Sequence, residues 1–362
     1  MRIAIDAREL RTSTGRYIER LIHYLQQIDL KNHYVIILSE KDFDSWQPTN
    51  PNFSKVSTTY REFTFAEQIG FKGQLESLDI DLVHFGMVQQ PVLYNKTPVV
   101  TTMHDLTTLR FRNPAKNPLI FWLKQRVYAR VNKRVARKSR FVITPTEFVK
   151  QDIINYTGVR DGKVVVTLES ADPLASASEA YQPMVDKRFI MYLGRPTPHK
   201  NLARLIDAFS LLQKNHPDLH LVLAGKKDVN YQLHEKRVNE KGIKNVVFTD
   251  FISDEQLAWL YENTEAYCFP SLSEGFGLPG LEAMIHGAPV ASSNATCLPE
   301  VYGEAAHYFD PLDVDDTVRA ISEILTDNKL RESLVTKGKK RVKQFSWKRM
   351  AEQTLEVYTK SV

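Results

Sequence analysis

Short apolar runs alternate with amphipathic helical patterns along most of this chain, in two series separated by one break. The first series predicts strands at Ile3–Asp6, Tyr34–Ser39, Leu82–Phe85, Val99–Met103, Phe141–Thr144 and Val164–Thr167, with helical stretches such as Tyr17–Gln27 and Leu119–Lys138 between them. Strands that read as unbroken apolar runs are buried on both faces. A strand–helix–strand rhythm supplies the helices that cover a parallel sheet. The small residues and prolines of Ala171–Pro183 interrupt the rhythm, as a linker does. It restarts with strands at Phe189–Leu193, Leu219–Ala224, Val246–Thr249, Ala266–Phe269 and Pro289–Ser292, and helices at Leu202–Lys214 and Asp254–Tyr261. Ser253 and Gln256 have the spacing of a capping box for the second of these helices. Three more helical stretches follow, Val314–Leu325, Lys329–Lys343 and Trp347–Lys360. The expectation is an α/β chain of two Rossmann-like, doubly wound domains. They span 1–170 and 184–345, joined by a linker at 171–183, and a last helix at 346–362 packs back on the first domain.

A length of 362 residues suits two domains. No apolar stretch approaches the roughly 20 residues that span a bilayer, and the start, Met1–Asp6, reads as a strand rather than a signal peptide. Cys268 and Cys297 have no Cys or His near them at metal spacing, which suits plain thiols in a reducing cytoplasm. The net charge of +5 is unevenly placed. Between Leu106 and Thr146 there is no acidic residue, while Arg110, Arg112, Lys116, Lys124, Arg126, Arg130, Lys133, Arg134, Arg137, Lys138 and Arg140 all occur.

The densest chemical signal is Ser271-Leu272-Ser273-Glu274-Gly275-Phe276-Gly277-Leu278-Pro279-Gly280-Leu281-Glu282, between the strand Ala266–Phe269 and a helix. Ligands of such sheets bind at the carboxyl ends of strands. Gly275 and Gly277 let backbone come close to a ligand, and the helix N-terminus offers N–H groups to a phosphate. Of the two carboxylates, one suits sugar hydroxyls and the other ribose hydroxyls. A plain glycine-rich turn with two solvated glutamates is the alternative, and it leaves the pairing of Glu274 with Glu282 around Gly-Phe-Gly-Leu-Pro unexplained. A second signal, Gly194-Arg195-Pro196-Thr197-Pro198-His199-Lys200, again joins a strand to a helix, with a forked cation and a point cation where a diphosphate would sit. A third, His104-Asp105, ends the strand Val99–Met103. A fourth is Gly15-Arg16 after the first strand, and Gly225 and Lys226 end another.

The string around Glu274 and Glu282 resembles the signature of glycosyltransferase family 4, the large retaining group with the GT-B fold. The likeness runs on through Gly287-Ala288-Pro289-Val290, Leu298-Pro299-Glu300-Val301 and Ala305–Pro311. The resemblance implies two domains facing each other across a cleft, with the nucleotide sugar on the C-terminal one. It implies that Glu274 contacts the transferred sugar and Glu282 the ribose. Arg195 and Lys200 then hold the diphosphate and stabilise it as leaving group, and His104 faces the donor sugar. Gly15, Gly194, Gly275, Phe276, Gly277 and Leu278 line the donor site. Many relatives carry two or more glycines in the first loop, whereas this chain has Gly15 alone. No cofactor and no metal are expected: Asp79-Ile80-Asp81 precedes a strand and Asp313-Val314-Asp315 starts a helix, so both read as structural.

The activity expected is transfer of a hexose, with mannose from GDP-mannose the first choice, to a glycan or lipid-linked acceptor in surface polysaccharide or glycolipid synthesis. A non-catalytic sugar-nucleotide-binding scaffold, a GT-B epimerase and a phosphorylase are the alternatives, although no pyridoxal lysine is identifiable for the last. The basic stretch 110–140 reads either as a peripheral contact with the inner face of the membrane, as a groove for an anionic acceptor, or as a core helix with a solvated basic face. No nucleic-acid motif accompanies its charge.

Overall fold

The computed structural model describes the chain except for residues 12–14, 63, 112–117 and 176. Thr12, Ser13 and Thr14 of the first strand-end loop, and Arg112 and Lys116 of the basic stretch, thus lie outside the described residues. The described residues divide into two compact units. One is built from Met1–Leu109, Pro114–Glu169 and Ser346–Val362, the other from Arg110–Asn113 and Ser170–Phe345.

The first unit holds seven strands: β1 (Arg2–Asp6), β2 (His33–Ser39), β3 (Phe53–Thr58), β4 (Leu82–Phe85), β5 (Val99–Thr102), β6 (Phe141–Thr144) and β7 (Val164–Val166). All pair in parallel, in the order β3-β2-β1-β4-β5-β6-β7. The apolar runs do this by burial on both faces: Ile3, Ala4, Ile5, Ile36, Ile37 and Val83 have no exposed surface. The closing helix Trp347–Ser361 belongs to this unit and packs on the helix Gly15–Ile28. Its buried residues Trp347, Met350, Ala351, Thr354, Tyr358 and Ser361 recur every three or four positions, one face of a helix. Each large apolar side chain so buried contributes roughly 1.5–3 kcal/mol. Ser346 opens the helix by accepting from the Arg349 N–H.

The second unit holds β8 (Phe189–Leu193), β9 (His220–Ala224), β10 (Val246–Phe248), β11 (Ala266–Phe269), β12 (Val290–Ser293) and β13 (Ala306–Phe309). Its parallel order, β10-β9-β8-β11-β12-β13, repeats the winding of the first. The core gathers Tyr192, Leu205, Phe209, Leu221, Cys268 and Ile321. Ser253 accepts from the Gln256 N–H at 3.2 Å, one half of the capping box. In both sheets the strand order reverses once, between β1 and β4 and between β8 and β11. At such a point the loops leaving the two strands diverge and open a crevice.

Two strands have no counterpart in the apolar runs of the sequence, β3 and β13. Both lie at a sheet edge. An edge strand covers one neighbour instead of two, and residues such as Ser54, Lys55, His307 and Tyr308 are tolerated there.

Candidate functional site

In the second unit, Lys200 ends the turn Pro198–Lys200 that follows β8, and Glu274 lies in the loop that follows β11. Lys200 Nζ is 2.6 Å from Glu274 Oε1, so the pair spans the crevice where the strand order reverses. The two side chains are 18% and 12% exposed, open enough to meet a ligand and shielded enough for charge to act strongly. Nζ also lies 5.4 Å from the centre of the Phe269 ring.

The backbone beneath this pair is tied down from several sides. The Leu272 N–H donates to the His199 carbonyl at 2.7 Å, joining the two loops. Asn201, at a left-handed φ of 59°, donates through Nδ2 to the carbonyls of Pro270 (3.1 Å) and Pro311 (2.7 Å). The Glu274 N–H donates to Thr296 Oγ1 at 3.1 Å, and the Cys297 thiol donates to the Glu274 carbonyl at 3.3 Å. Burial, with the Glu274 charge adding to it, pushes the Cys297 thiol well above its ordinary pKa. It is a packed donor and a poor nucleophile.

Gly277 follows at φ 95°, where a side chain would also meet the Tyr302 hydroxyl at 2.6 Å. That hydroxyl donates to the Gly277 carbonyl at 2.6 Å and fixes the entry of the helix Leu278–Ile285. Pro279 in the first turn has no N–H, and the Gly280 N–H is spent on the Gly277 carbonyl at 3.2 Å. The helix end therefore offers fewer amides to a phosphate than the motif alone suggests, and more of the work falls on the side-chain cations. Phe276 is 4% exposed and packs edge-on against Phe345 at 5.6 Å, a core contact. Gly275 is buried beside it, while Leu278 is half-buried. Glu282 sits in the second helical turn and is 3% exposed.

In the loop after β8, the Gly194 N–H donates to the Ala224 carbonyl at 3.1 Å, and the Tyr231 hydroxyl donates to the Gly194 carbonyl at 2.8 Å. This locks the ends of β8 and β9 together, with Gly225 and Lys226 directly after β9. Arg195 is exposed, and its guanidinium has no hydrogen bond or ion pair among the described residues. The structure thus gathers Gly194, Arg195 and Lys200 on one strand-end loop and Glu274 through Leu278 on the next.

The first unit places His104 just past β5, and its ring is engaged at both nitrogens. Nδ1 is 3.1 Å from Glu169 Oε1, and Nε2 is 3.0 Å from the Gly86 carbonyl. The expected contact with a sugar hydroxyl therefore has no ring nitrogen to spare in this structure. Asp105 accepts from the Thr107 N–H at 2.7 Å and organises its loop. Gly15 starts a helix so close to the preceding loop that a Cβ there would lie 2.1 Å from the Glu9 carbonyl oxygen. This close backbone approach is a reason for the glycine that needs no phosphate.

A charged cluster that no motif announces sits at the first unit's own reversal point. Arg8, with its side chain 2% exposed, pairs with Asp6 (2.7 Å) and Glu67 (2.9 Å) and approaches Glu62 (3.7 Å). Burial opposes the charge of Arg8, but the three carboxylates hold its pKa above the ordinary value. Nothing in the local sequence signals these partners, because Glu62 and Glu67 arrive from more than fifty residues away.

Both Asp-x-Asp pairs have structural partners. Asp81 accepts from the Arg2 N–H at 2.7 Å, and Asp313 caps the helix Val314–Thr326. The basic stretch forms the helix Pro118–Lys138, where Trp122, Leu123 and Val127 are exposed among the cations, with Arg126 stacked over Trp122 at 4.0 Å. No helix among the described residues is long and apolar enough to cross a membrane.

Residues 177–341 match the model of the glycosyl transferases group 1 family, and residues 14–168 match that of Glycosyltransferase Family 4. The O-antigen chain mannosyltransferase B of Escherichia coli is 31% identical over 274 residues, covering 72% of this chain and 69% of that protein. The MMP alpha-(1->4)-mannosyltransferase of Mycolicibacterium hassiacum is 32% identical over 303 residues, covering 78% of this chain and 71% of that protein. Among solved structures, the sucrose-phosphate synthase of Thermosynechococcus elongatus superposes with a TM-score of 0.79 at 19% identity, covering 99% of this chain and 98% of that one.

Proposed function

Because the chain belongs to glycosyltransferase family 4, we propose that it transfers mannose from GDP-mannose, with retention, to a glycan or lipid-linked acceptor in the synthesis of a surface polysaccharide or glycolipid. The observation that carries the reading is the Lys200–Glu274 pair across the reversal point of the second sheet. The choice of mannose is supported by relatives named as mannosyltransferases.

The pair suits a donor because neither partner exhausts the other. An ammonium has three protons and a carboxylate about four acceptor sites. Lys200 gives one proton to Glu274 and keeps others for a phosphate oxygen, while Glu274 keeps acceptor capacity for a sugar hydroxyl. Breakage of the anomeric C–O bond leaves charge on the diphosphate, and the fixed cations Lys200 and Arg195 offset it as it develops. The leaving phosphate oxygen takes the acceptor hydroxyl proton on the same face, so the configuration is retained without a separate base. Glu282 accepts from the ribose hydroxyls. The reaction needs neither metal nor cofactor in this reading.

The exposed Trp122, Leu123 and Val127, set among cations with no acidic residue on the helix, suit a peripheral contact with an anionic leaflet on the cytoplasmic side. Such a contact would bring the enzyme to a lipid-linked acceptor.

A thermal-shift series with GDP, UDP and dTDP tests the donor. A nucleotide that binds the folded state raises Tm by mass action. GDP raising Tm most, together with turnover of GDP-mannose, is the expected result. No shift with any of the three would remove the donor site.

A further inference from the structure

We infer that Glu169 is a positioning residue that keeps His104 doubly protonated, as a fixed imidazolium at the carboxyl edge of the first sheet. The hydrogen-bond geometry points to it. The Gly86 carbonyl can only accept, so the His104 Nε2, 3.0 Å away, carries a proton. The other nitrogen, Nδ1, faces Glu169 Oε1 at 3.1 Å. One proton is shared across that contact, and it resides on the more basic partner. A free imidazole holds its proton to a pH of about 6.5 and a free carboxylate to about 4.3. The ring is thus the favoured holder of that second proton.

The surroundings agree. The Glu169 side chain is 6% exposed and that of His104 20%, so little water competes for the pair. Burial disfavours the charged ring, but Glu169, then Asp105, then the Gly86 carbonyl favour it, and together they raise its pKa. Tyr17 packs edge-on against the ring at 5.0 Å. A further titratable neighbour, His84, is fully buried and neutral. Its Nε2 lies 2.9 Å from Thr102 Oγ1, whose own proton goes to the Tyr17 hydroxyl, and its Nδ1 lies 2.6 Å from the Tyr358 hydroxyl. The two histidines thus stand in opposite states within one network: His84 without charge, His104 with it.

The consequence rests on the transferase reading. With both nitrogens engaged, His104 acts through its charge, at the sheet edge where ligands of this fold bind. A fixed cation at that edge suits an anionic ligand. Glu169 also ends the segment of the first unit after which the chain passes into the second, so the carboxylate that pairs with the ring lies where the chain leaves that unit.

The test uses the full chain with ¹⁵N-labelled histidine, titrated by NMR in wild type, Glu169→Gln and Glu169→Asp, with His104→Gln to assign the signal. In the wild type, both ring nitrogens of His104 show protonated shifts at pH 7, and the ring titrates above the ordinary histidine range. Glu169→Gln lowers that midpoint by about one pH unit or more, and Glu169→Asp lies between. In donor turnover, the alkaline limb of kcat/KM moves to lower pH in Glu169→Gln by the same amount, and activity at pH 6 exceeds that at pH 8. Merely structural damage lowers activity at every pH and leaves the limb in place. A neutral His104 in the wild type at pH 7, or a limb that does not move in Glu169→Gln, overturns the inference. The NMR titration needs no turnover, so loss of the transferase reading leaves it standing as a separate result.

Discussion

At the scale of single residues, the two histidines of the first unit tie stability to pH with opposite signs. Burial holds the His84 pKa down to about 3, so the folded chain refuses a proton that the unfolded chain accepts below about pH 6.5. Stability is therefore lost as the pH falls from that value, by up to about 1.4 kcal/mol for each pH unit. His104 is raised, so its contribution is complete below the unfolded value and fades as the pH climbs through the folded one. Urea unfolding of the wild type at pH 7.0 and 5.0 should show the acid loss. In His84→Asn the difference between the two pH values should shrink, and an unchanged difference would assign the acid sensitivity elsewhere. Glu282, 3% exposed in its helix, gives a second prediction at this scale. Glu282→Gln should raise the Kd for GDP about tenfold in calorimetry while leaving the melting temperature of the unliganded chain within a few degrees. Of these residues the motif announced Glu282 and Lys200. The roles of His84 and Glu169 were not legible, because their partners lie 274 and 65 residues away in sequence.

At the scale of elements, the last helix is keyed into the first unit by a hydrogen bond as well as by its apolar face. The Tyr358 hydroxyl meets His84 on β4, while His84 and the Tyr17 hydroxyl on the helix Gly15–Ile28 both meet Thr102 on β5. Tyr358→Phe leaves a buried ring nitrogen without its hydrogen-bond partner and should cost about 1–3 kcal/mol. Equilibrium unfolding measures this directly, and a loss below about 0.5 kcal/mol would mean that the network repacks around the gap. Gly280→Ala makes a similar test in the second unit. Its Cβ would meet the Tyr302 hydroxyl at 2.2 Å, and overpacking of this kind costs typically 1–3 kcal/mol. The central strands and their helices could be read from the sequence because burial on both faces writes them as apolar runs. The edge strands β3 and β13 could not, since Phe53–Thr58 alternates with Ser and Lys, and His307 and Tyr308 break the run of the other.

At the scale of the whole molecule, each unit carries the same winding, and each places charged side chains at the carboxyl side of its own reversal point. In the first unit the charges are paired and buried around Arg8. In the second, Lys200 and Glu274 remain partly open and Arg195 is exposed. That asymmetry suits a structural centre in one unit and a ligand centre in the other. The basic helix Pro118–Lys138 adds a surface property. Flotation with vesicles should recover the protein with anionic phosphatidylglycerol and not with phosphatidylcholine. Recovery should fall as salt screens the charge, and Trp122→Ser with Leu123→Ser should weaken it further. Equal recovery on both vesicles would remove the electrostatic contact. The measurement that bears most directly on the account is the steady-state turnover of GDP-mannose by the wild type, Lys200→Ala and Glu274→Gln. Removal of one preorganised charge from such a centre costs about 10²–10³ in kcat. Both folded variants should lose that much, whereas wild-type rates in either would contradict the placement of the donor at this pair.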